Sequence, residues 1–145
     1  MELIANTNIF FAAVLNEPEK TNIVHLTQGA NIAAPEILPY EIGNALMAMC
    51  KRGRITPRQA VSVYQIIQRI PARLLAVDIS KALDIALKFN IYAYDTYFLE
   101  CARALAHLLI TLDRRMQQIA KELVLRYWSN HHESFYLFRS AAEPC

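Results

Sequence analysis

The feature that most constrains this chain is an alternation of short apolar runs with longer segments of helical periodicity. Residues 3–5 form an apolar run, and 108–112 form an apolar run that is broken by Thr111 alone; both predict buried strands, whereas 37–52 carries apolar residues at the spacing of one helix face. This alternation is typical of an α/β fold, in which helices flank a central parallel sheet. The 145 residues contain no internal repeat or low-complexity linker. We therefore expect a single domain over 1–126, followed by an aromatic tail over 127–145.

Local signals predict where several helices begin. Thr56, Pro57 and Gln59 form a capping box with proline in the first helical position, which predicts a helix start. Asn16 is predicted to cap the second helix, and Ser80 is predicted to cap a later one. Further strands are predicted over three short runs: 31–33, 74–77 and 124–128.

Composition excludes some classes of protein. Apolar residues make up 54% of the chain and charged residues 19%, which excludes intrinsic disorder. No window approaches the roughly 18 apolar residues of a membrane span. Cys50, Cys101 and Cys145 are an odd number without paired spacing, so we expect reduced thiols in a cytoplasmic protein. The apolar surplus and the aromatic tail predict a homodimer.

Four polar residues suggest a site at one edge of the predicted sheet: Asn6, Glu41, Asp95 and Asp113. Three of them lie at junctions that lead into helices, and the carboxyl ends of parallel strands form the crevice where ligands bind. Glu41 projects into the apolar stripe of its helix, where an unpaired carboxylate needs a cation, a metal ion or a water-filled cleft. A stripe-edge glutamate that reaches solvent is the competing interpretation. Asp95 and Asp113 taken singly are also typical helix N-caps, so the predicted site depends on the joint placement.

Clustered carboxylates are typical of phosphoryl transfer assisted by divalent metal ions. Mg²⁺ and Mn²⁺ prefer carboxylate oxygens and retain several waters. The sequence has no serine or cysteine nucleophile arrangement and no glycine-rich nucleotide loop that would compete with this interpretation. A receiver-like signalling domain also clusters acids. It needs adjacent acids after the first strand and a lysine after the last, and neither is present.

Four runs of the sequence resemble the motifs of the PIN-domain nucleases: ANTNIF at 5–10, APEILPYEIGNAL at 34–46, YAYDT at 92–96 and TLD at 111–113. The resemblance is strongest to the VapC-like toxins of bacterial toxin–antitoxin pairs and covers about residues 1–125 in order and spacing. It implies a parallel sheet flanked by helices, and a metal-dependent ribonuclease that cleaves RNA and pairs with an antitoxin protein.

The resemblance also implies which residues act. By motif match, the catalytic and metal-binding positions for Mg²⁺ or Mn²⁺ are Asn6, Glu41, Asp95 and Asp113. The polar neighbours that support them are Asn8, Asn44 and Thr111. The family has aspartate where this chain has Asn6, and an amide removes one negative charge. Three interpretations stay open: a weakened nuclease, a catalytically inactive module that binds RNA or a protein partner, and a change made to tolerate a toxic product.

Four cations are candidates for contacting RNA phosphates: Lys51, Arg52, Arg114 and Arg115. Lys51 and Arg52 lie at the end of the long predicted helix. For these two, the competing interpretation is that they are exposed to solvent and interact with the helix dipole. His131, His132 and Glu133 lack the spacing of a helical zinc site, so zinc is not expected. The tail over 127–145 is equally consistent with an interaction arm and with a fortuitous extension.

Overall fold

The computed structural model describes residues 1–123, 125 and 127–128. The strands are β1 (Glu2–Ala5), β2 (Asn31–Pro35), β3 (Ala72–Leu75), β4 (Leu108–Ile110) and β5 (Tyr127–Trp128). The helices are α1 (Thr7–Val14), α2 (Lys20–Thr27), α3 (Leu38–Lys51), α4 (Pro57–Gln68), α5 (Ile79–Phe89), α6 (Ala93–Leu105) and α7 (Arg114–Glu122). Among the described helices, none has both the length and the apolar character needed to cross a membrane.

The strands form one sheet in the order β3-β2-β1-β4-β5, and every pair of neighbours is parallel. The predicted α/β architecture with a central parallel sheet is therefore confirmed. The chain builds outward from β1 through β2 to β3, then crosses to the other side of β1 for β4 and β5. The strand order thus reverses between β1 and β4, where Ala5 is in register with Ile110. In open parallel sheets, ligands bind at the carboxyl ends of the strands beside such a point.

The two central strands are buried on both faces. Leu3, Ile4, Leu109 and Ile110 have no exposed surface. This burial explains why their sequences are continuous apolar runs rather than alternating ones. Helix α6 packs against β1, β2 and β4, and its Phe98 is fully buried in the same core. The helix that carries Asp95 is therefore anchored firmly against the centre of the sheet.

Some predicted helix starts are confirmed and others are wrong. Thr56 forms the predicted capping box at the start of α4. Asn16 has a left-handed backbone with φ of 57°, whereas an N-cap needs an extended one, so Asn16 does not cap α2. Asp78, rather than Ser80, caps α5 by accepting a hydrogen bond from the backbone N–H of Lys81 at 3.1 Å. Aspartate and serine are equally good caps, so local sequence could not choose between them.

Each of the five predicted strands has a counterpart among the described residues, shifted in position. β3 begins and ends two residues before the predicted run 74–77, and β4 stops at Ile110. Tyr127 and Trp128 pair with Leu109 and Ile110, so the sheet includes the first two residues of the segment expected to form the tail. Residues 129–145, with the histidine pair of the tail, lie outside the described residues.

The described cysteines are free. Cys101 is buried, and burial together with the nearby charge of Glu100 raises the pKa of its thiol to about 11. A thiol with so high a pKa is almost entirely protonated at neutral pH and is a poor nucleophile. Cys50 is half-buried, and Cys145 lies outside the described residues.

Candidate active site

The residues predicted to form a site begin the helices at the carboxyl edge of the sheet. Asn6 follows β1 as the N-cap of α1, and Asp113 follows β4 as the N-cap of α7. Glu41 and Asp95 lie in the first turns of α3 and α6. Glu41 and Asp95 belong to helices that are far apart in the sequence. Folding brings the N-terminal ends of both helices to the carboxyl edge of the sheet.

Asp95 differs from its prediction in one respect. The sequence suggested that it opens its helix, but α6 begins at Ala93 with Tyr92 as its N-cap, and no side chain caps it. The interpretation of Asp95 as an ordinary N-cap is therefore wrong. Its carboxylate lies within the first turn and is not used to satisfy the backbone N–H groups of the helix end.

Glu41, Asp95 and Asp113 are electrostatically coupled. Burial raises the pKa of Glu41, the hydrogen bond from Thr7 opposes that rise, and the charge of Asp95 adds to it. Burial also raises the pKa of Asp95, and the charge of Asp113 raises it further. Asp95 is thus the middle member of three acids whose negative charges disfavour one another.

Thr7 orients Glu41. The Thr7 hydroxyl donates a hydrogen bond of 2.7 Å to Oε2 of Glu41, across 34 positions of sequence. A hydrogen bond to a carboxylate favours its charged form. Thr7 was not predicted as a site residue, although it lies inside the ANTNIF motif next to Asn6. Its role depends on a partner from another helix.

Both polar atoms of the Asn6 side-chain amide form hydrogen bonds within the protein. Its Oδ1 accepts a hydrogen bond from the backbone N–H of Asn8 at 3.3 Å, which caps α1. Its Nδ2 donates to the thioether sulfur of Met116 at 3.3 Å. Asn6 is 6% exposed, and Met116 is 1% exposed. An amide suits this position because it supplies both a donor and an acceptor, whereas an ionised carboxylate only accepts. Met116 was not foreseen from the sequence.

Asn8 and Thr111 connect the ends of β1 and β4. Asn8 donates from Nδ2 to the Thr111 hydroxyl at 3.4 Å and accepts at Oδ1 from the backbone N–H of Leu112 at 3.2 Å. The same hydroxyl accepts from the backbone N–H of Asp113 at 3.1 Å. Gln117, which was also missed, donates to the Thr111 carbonyl at 2.8 Å. The loop that carries Asp113 is therefore held by several short contacts.

Asp113 is the N-cap that its position predicted. Its Oδ1 accepts from the backbone N–H of Met116 at 2.9 Å. Capping uses one carboxylate oxygen, and the second oxygen is left for another partner. Asn44 is exposed and lines a groove of about 550 Å³ together with Thr7 and Glu41. In the part of the chain that the structure describes, Asn44 forms no hydrogen bond to an acid.

The predicted RNA-contacting cations occupy different surroundings. Arg115 donates to the carbonyl of Phe89 at 3.2 Å and is therefore attached to the end of α5. Arg114 is exposed beside Asp113. Lys51 and Arg52 are exposed at the C-terminal end of α3. All four cations are exposed and therefore accessible to an anionic ligand.

The donor atoms of the site suit a hard divalent cation in their chemistry. Carboxylate oxygens are the ligands that Mg²⁺ and Mn²⁺ prefer, and positive charge would offset the repulsion among Glu41, Asp95 and Asp113. Within residues 1–123, 125 and 127–128, no group of three His, Cys, Asp or Glu side chains is arranged so that it could hold a metal ion. The chemistry therefore fits a cation, although the side chains are not drawn together around one point.

A five-stranded parallel sheet with coupled acids beside its reversal point defines an α/β protein with an acidic site at the carboxyl edge. The family model of the PIN domain matches residues 4–122. The chain belongs to the PIN domain family, and the resemblance seen in its motifs is confirmed. None of the curated proteins matches it.

Solved structures share this fold. The crystal structure of PAE2754 from Pyrobaculum aerophilum has a TM-score of 0.64 at 18% identity, covering 82% of this chain and 84% of that one. VapBC2 from Rickettsia felis bound to a DNA fragment from their promoter has a TM-score of 0.61 at 17% identity, with coverage of 89% and 98%. FitAB bound to IR36 DNA fragment has a TM-score of 0.58 at 11% identity, with coverage of 90% and 99%. At these identities the likeness establishes the fold.

The environment of Asn6 predicts that Asn6→Asp destabilises the protein in EDTA. The change removes the N–H donor that faces the Met116 sulfur and places a carboxylate at a buried position. A lost hydrogen bond with an unsatisfied buried group costs on the order of 1–3 kcal/mol. Urea unfolding measures the loss. Asn44→Asp makes the same change at an exposed position of the groove and should cost much less. Equal losses in the two variants would contradict a specific role for the Asn6 amide.

The raised pKa values predict how stability depends on pH in EDTA. The ordinary pKa values are 4.5 for Glu41 and 3.8 for Asp95. Because the folded-state pKa values are higher, the folded protein retains protons that the unfolded chain releases. This stabilising contribution is complete below the ordinary values and is lost as pH rises through the raised ones. Asp95→Asn removes the central charge, so its melting temperature should rise relative to wild type as pH increases over that range. A pH-independent difference between the two proteins would refute the coupling, and Glu122→Gln, at an exposed position at the end of α7, is the control.

Proposed function

We propose that this chain is a divalent-metal-dependent endoribonuclease and the toxin of a toxin–antitoxin pair. The observation that carries the proposal is the electrostatic coupling of Glu41, Asp95 and Asp113 at the carboxyl edge of a PIN-domain sheet. The likeness to VapBC2 and FitAB supports a protein antitoxin as its partner. The proposed setting is the cytoplasm, where free cysteines stay reduced.

In the proposed mechanism, Glu41, Asp95 and Asp113 would hold Mg²⁺ or Mn²⁺. When bound, such a cation supplies positive charge that stabilises the charge developing on a phosphodiester as water attacks it. Thr7 favours the charged form of Glu41 by donating a hydrogen bond to it. Asn8 and Thr111 hold the loop that positions Asp113. These contacts fix the acids before RNA binds, so less of the binding energy is needed to order them.

In this proposal, Asn6 contributes little charge to the site, because its amide is neutral and bonded to Asn8 and Met116. The same observation favours a second candidate function, a catalytically inactive PIN module that binds RNA or a protein partner. The two candidates differ in whether three acids are enough for hydrolysis. In either one, Arg114 beside Asp113 and the Lys51–Arg52 pair would contact RNA phosphates.

We also propose that the chain forms a homodimer through α5. Ile79, Leu83 and Leu87 recur every four residues on this helix and are all exposed, which makes an apolar row without a described partner. Large apolar side chains gathered on one helix face mark an interaction surface more often than scattered ones do. A two-fold interface has to be self-complementary, and an apolar row that packs against its own copy meets this condition.

Cleavage of single-stranded RNA tests the main proposal. Purified protein with Mn²⁺ should cleave it, and EDTA should stop the reaction. Asp95→Ala should reduce the rate at least about a hundredfold, the effect of losing roughly 3 kcal/mol of transition-state stabilisation. The matched control is Glu122→Ala at the exposed end of α7, which should remain active.

Two other outcomes would count against the nuclease. Cleavage that survives Asp95→Ala would come from a contaminant or from other residues. If wild type binds RNA or a partner but cleaves no RNA, the inactive module is favoured.

Asn6→Asp should cleave faster than wild type if the missing charge limits the rate, because a carboxylate attracts a hard cation more strongly than an amide does.

Light scattering at tens of micromolar tests the dimer. Wild type should have the mass of two chains, and Leu87→Asp should have the mass of one, because the change buries a charge in the apolar row. Val61→Asp alters another exposed apolar residue, on α4, and should leave the dimer intact. A monomeric wild type, or a dimer unaffected by Leu87→Asp, would reject this interface.

A further inference from the structure

Arg115 lies where its own helix does not favour a cation. It is the second residue of α7, and the N-terminal end of a helix carries partial positive charge. Its guanidinium reaches the last residue of α5 instead, where Nη2 donates a 3.2 Å hydrogen bond to the carbonyl of Phe89. The C-terminal end of a helix favours a cation. A contact between two helices therefore accounts for this arginine better than the local preference of α7 does.

The Phe89 carbonyl needs a donor from outside its helix. The last carbonyl groups of a helix have no backbone partner within the helix. The backbone N–H groups of Asn90 and Ile91 both donate to the carbonyl of Ala86, so neither of them bonds to Phe89. Arg115 thus supplies a hydrogen bond that these two residues of the turn after α5 do not.

The guanidinium of Arg115 is held at two points. Its Nη1 donates to Oε1 of Gln118 at 3.1 Å, one turn farther along α7, while Nη2 donates to Phe89. A planar guanidinium presents its donors in a fixed fork, whereas a lysine ammonium is a single point charge. Although the side chain is exposed, both of its terminal nitrogens form hydrogen bonds within the protein. These contacts favour a connecting role over a contact with a phosphate.

This connection joins the segments that carry Asp95 and Asp113. The short turn after Phe89 leads directly into α6, whose first turn contains Asp95. On the other side, Arg115 follows Asp113, the N-cap of α7, by two residues. Asp113 lies close enough to Asp95 for its charge to raise the pKa of Asp95, so the two carboxylates repel each other. A hydrogen bond between the flanks of the two acids opposes their separation.

We propose that Arg115 is a positioning residue, which fixes the spacing of Asp95 and Asp113 by bonding to the Phe89 carbonyl and thereby raises the affinity of the acidic site for a divalent cation. The inference rests on the proposed metal-dependent function and adds a residue to it. It replaces the expectation that Arg115 contacts RNA phosphates, a role that remains with Arg114.

The melting temperature measured over a range of Mn²⁺ concentrations tests this proposal without requiring cleavage. A bound cation raises the melting temperature. Arg115→Ala should need about tenfold more Mn²⁺ than wild type for the same rise, the effect of losing one hydrogen bond from a charged group. Arg115→Lys should need an intermediate concentration, because it keeps the charge and loses the fork. The control Gln118→Ala leaves the bond to Phe89 in place and should match wild type.

RNA binding separates positioning from a phosphate contact. In EDTA, which withholds the metal needed for the proposed cleavage, affinity for single-stranded RNA is measured against salt concentration. Each phosphate contact contributes about 0.7 to the log–log slope for a single strand. Arg115→Ala should keep the wild-type slope, and Arg114→Ala is the comparison in which the slope should fall. With Mn²⁺ present, Arg115→Ala should lower kcat for cleavage and leave KM nearly unchanged.

Equal Mn²⁺ dependence of Arg115→Ala and wild type would overturn the proposal, even if the variant melts at a lower temperature in EDTA. A smaller salt slope in Arg115→Ala would overturn it in favour of an RNA contact. If Arg115→Ala does not fold, Arg115→Lys serves for both comparisons. A wild type without any response to Mn²⁺ would overturn this proposal together with the metal-dependent function. A weakened response in Arg115→Ala, with no cleavage by wild type, would support the positioning role and reject the nuclease alone.

Discussion

The placement of Glu41, Asp95 and Asp113 at one edge of the sheet is the constraint on which the candidate site depends, because burial and neighbouring negative charge raise the pKa values of Glu41 and Asp95. Partly buried carboxylates favour protonation, and like charges nearby favour it further. The fold tolerates this cost because α6 is anchored by fully buried residues such as Phe98 against the central strands. A hydrogen bond from Thr7 holds Glu41. The free energy gained by burying the apolar core thus offsets the cost of holding these acids at one edge of the sheet.

The amide of Asn6 moderates that cost. It stands at the end of β1, beside the strand-order reversal, where a carboxylate would add a further negative charge. Instead its donor faces the Met116 sulfur and its acceptor caps α1. Asn6 is therefore integrated into the packing between α1 and α7. A substitution here changes local stability and site charge together, which is why the two effects have to be measured separately.

The acidic site and the surface assigned to a second chain are structurally connected. Helix α6 carries Asp95 in its first turn, and it packs closely against α5, the proposed dimer helix. The guanidinium of Arg115, two residues after Asp113, bonds to the end of α5. Pairing of two α5 helices would thus rest on the same packed unit that positions the acids. The proposed dimer contact and the position of the acids therefore both depend on the packing of α5 against α6.

Sequence by itself determined the parallel α/β fold, because fully buried strands need continuous apolar runs and covering helices need a 3.6-residue period. It also determined the Thr56 cap and the PIN resemblance, since both depend on residues close together in the chain. Only the tertiary structure decided that Thr7 meets Glu41 and that Asn6 meets Met116 across 110 positions. Such contacts depend on how whole elements pack, and local patterns carry no information about which distant side chain fills a given space.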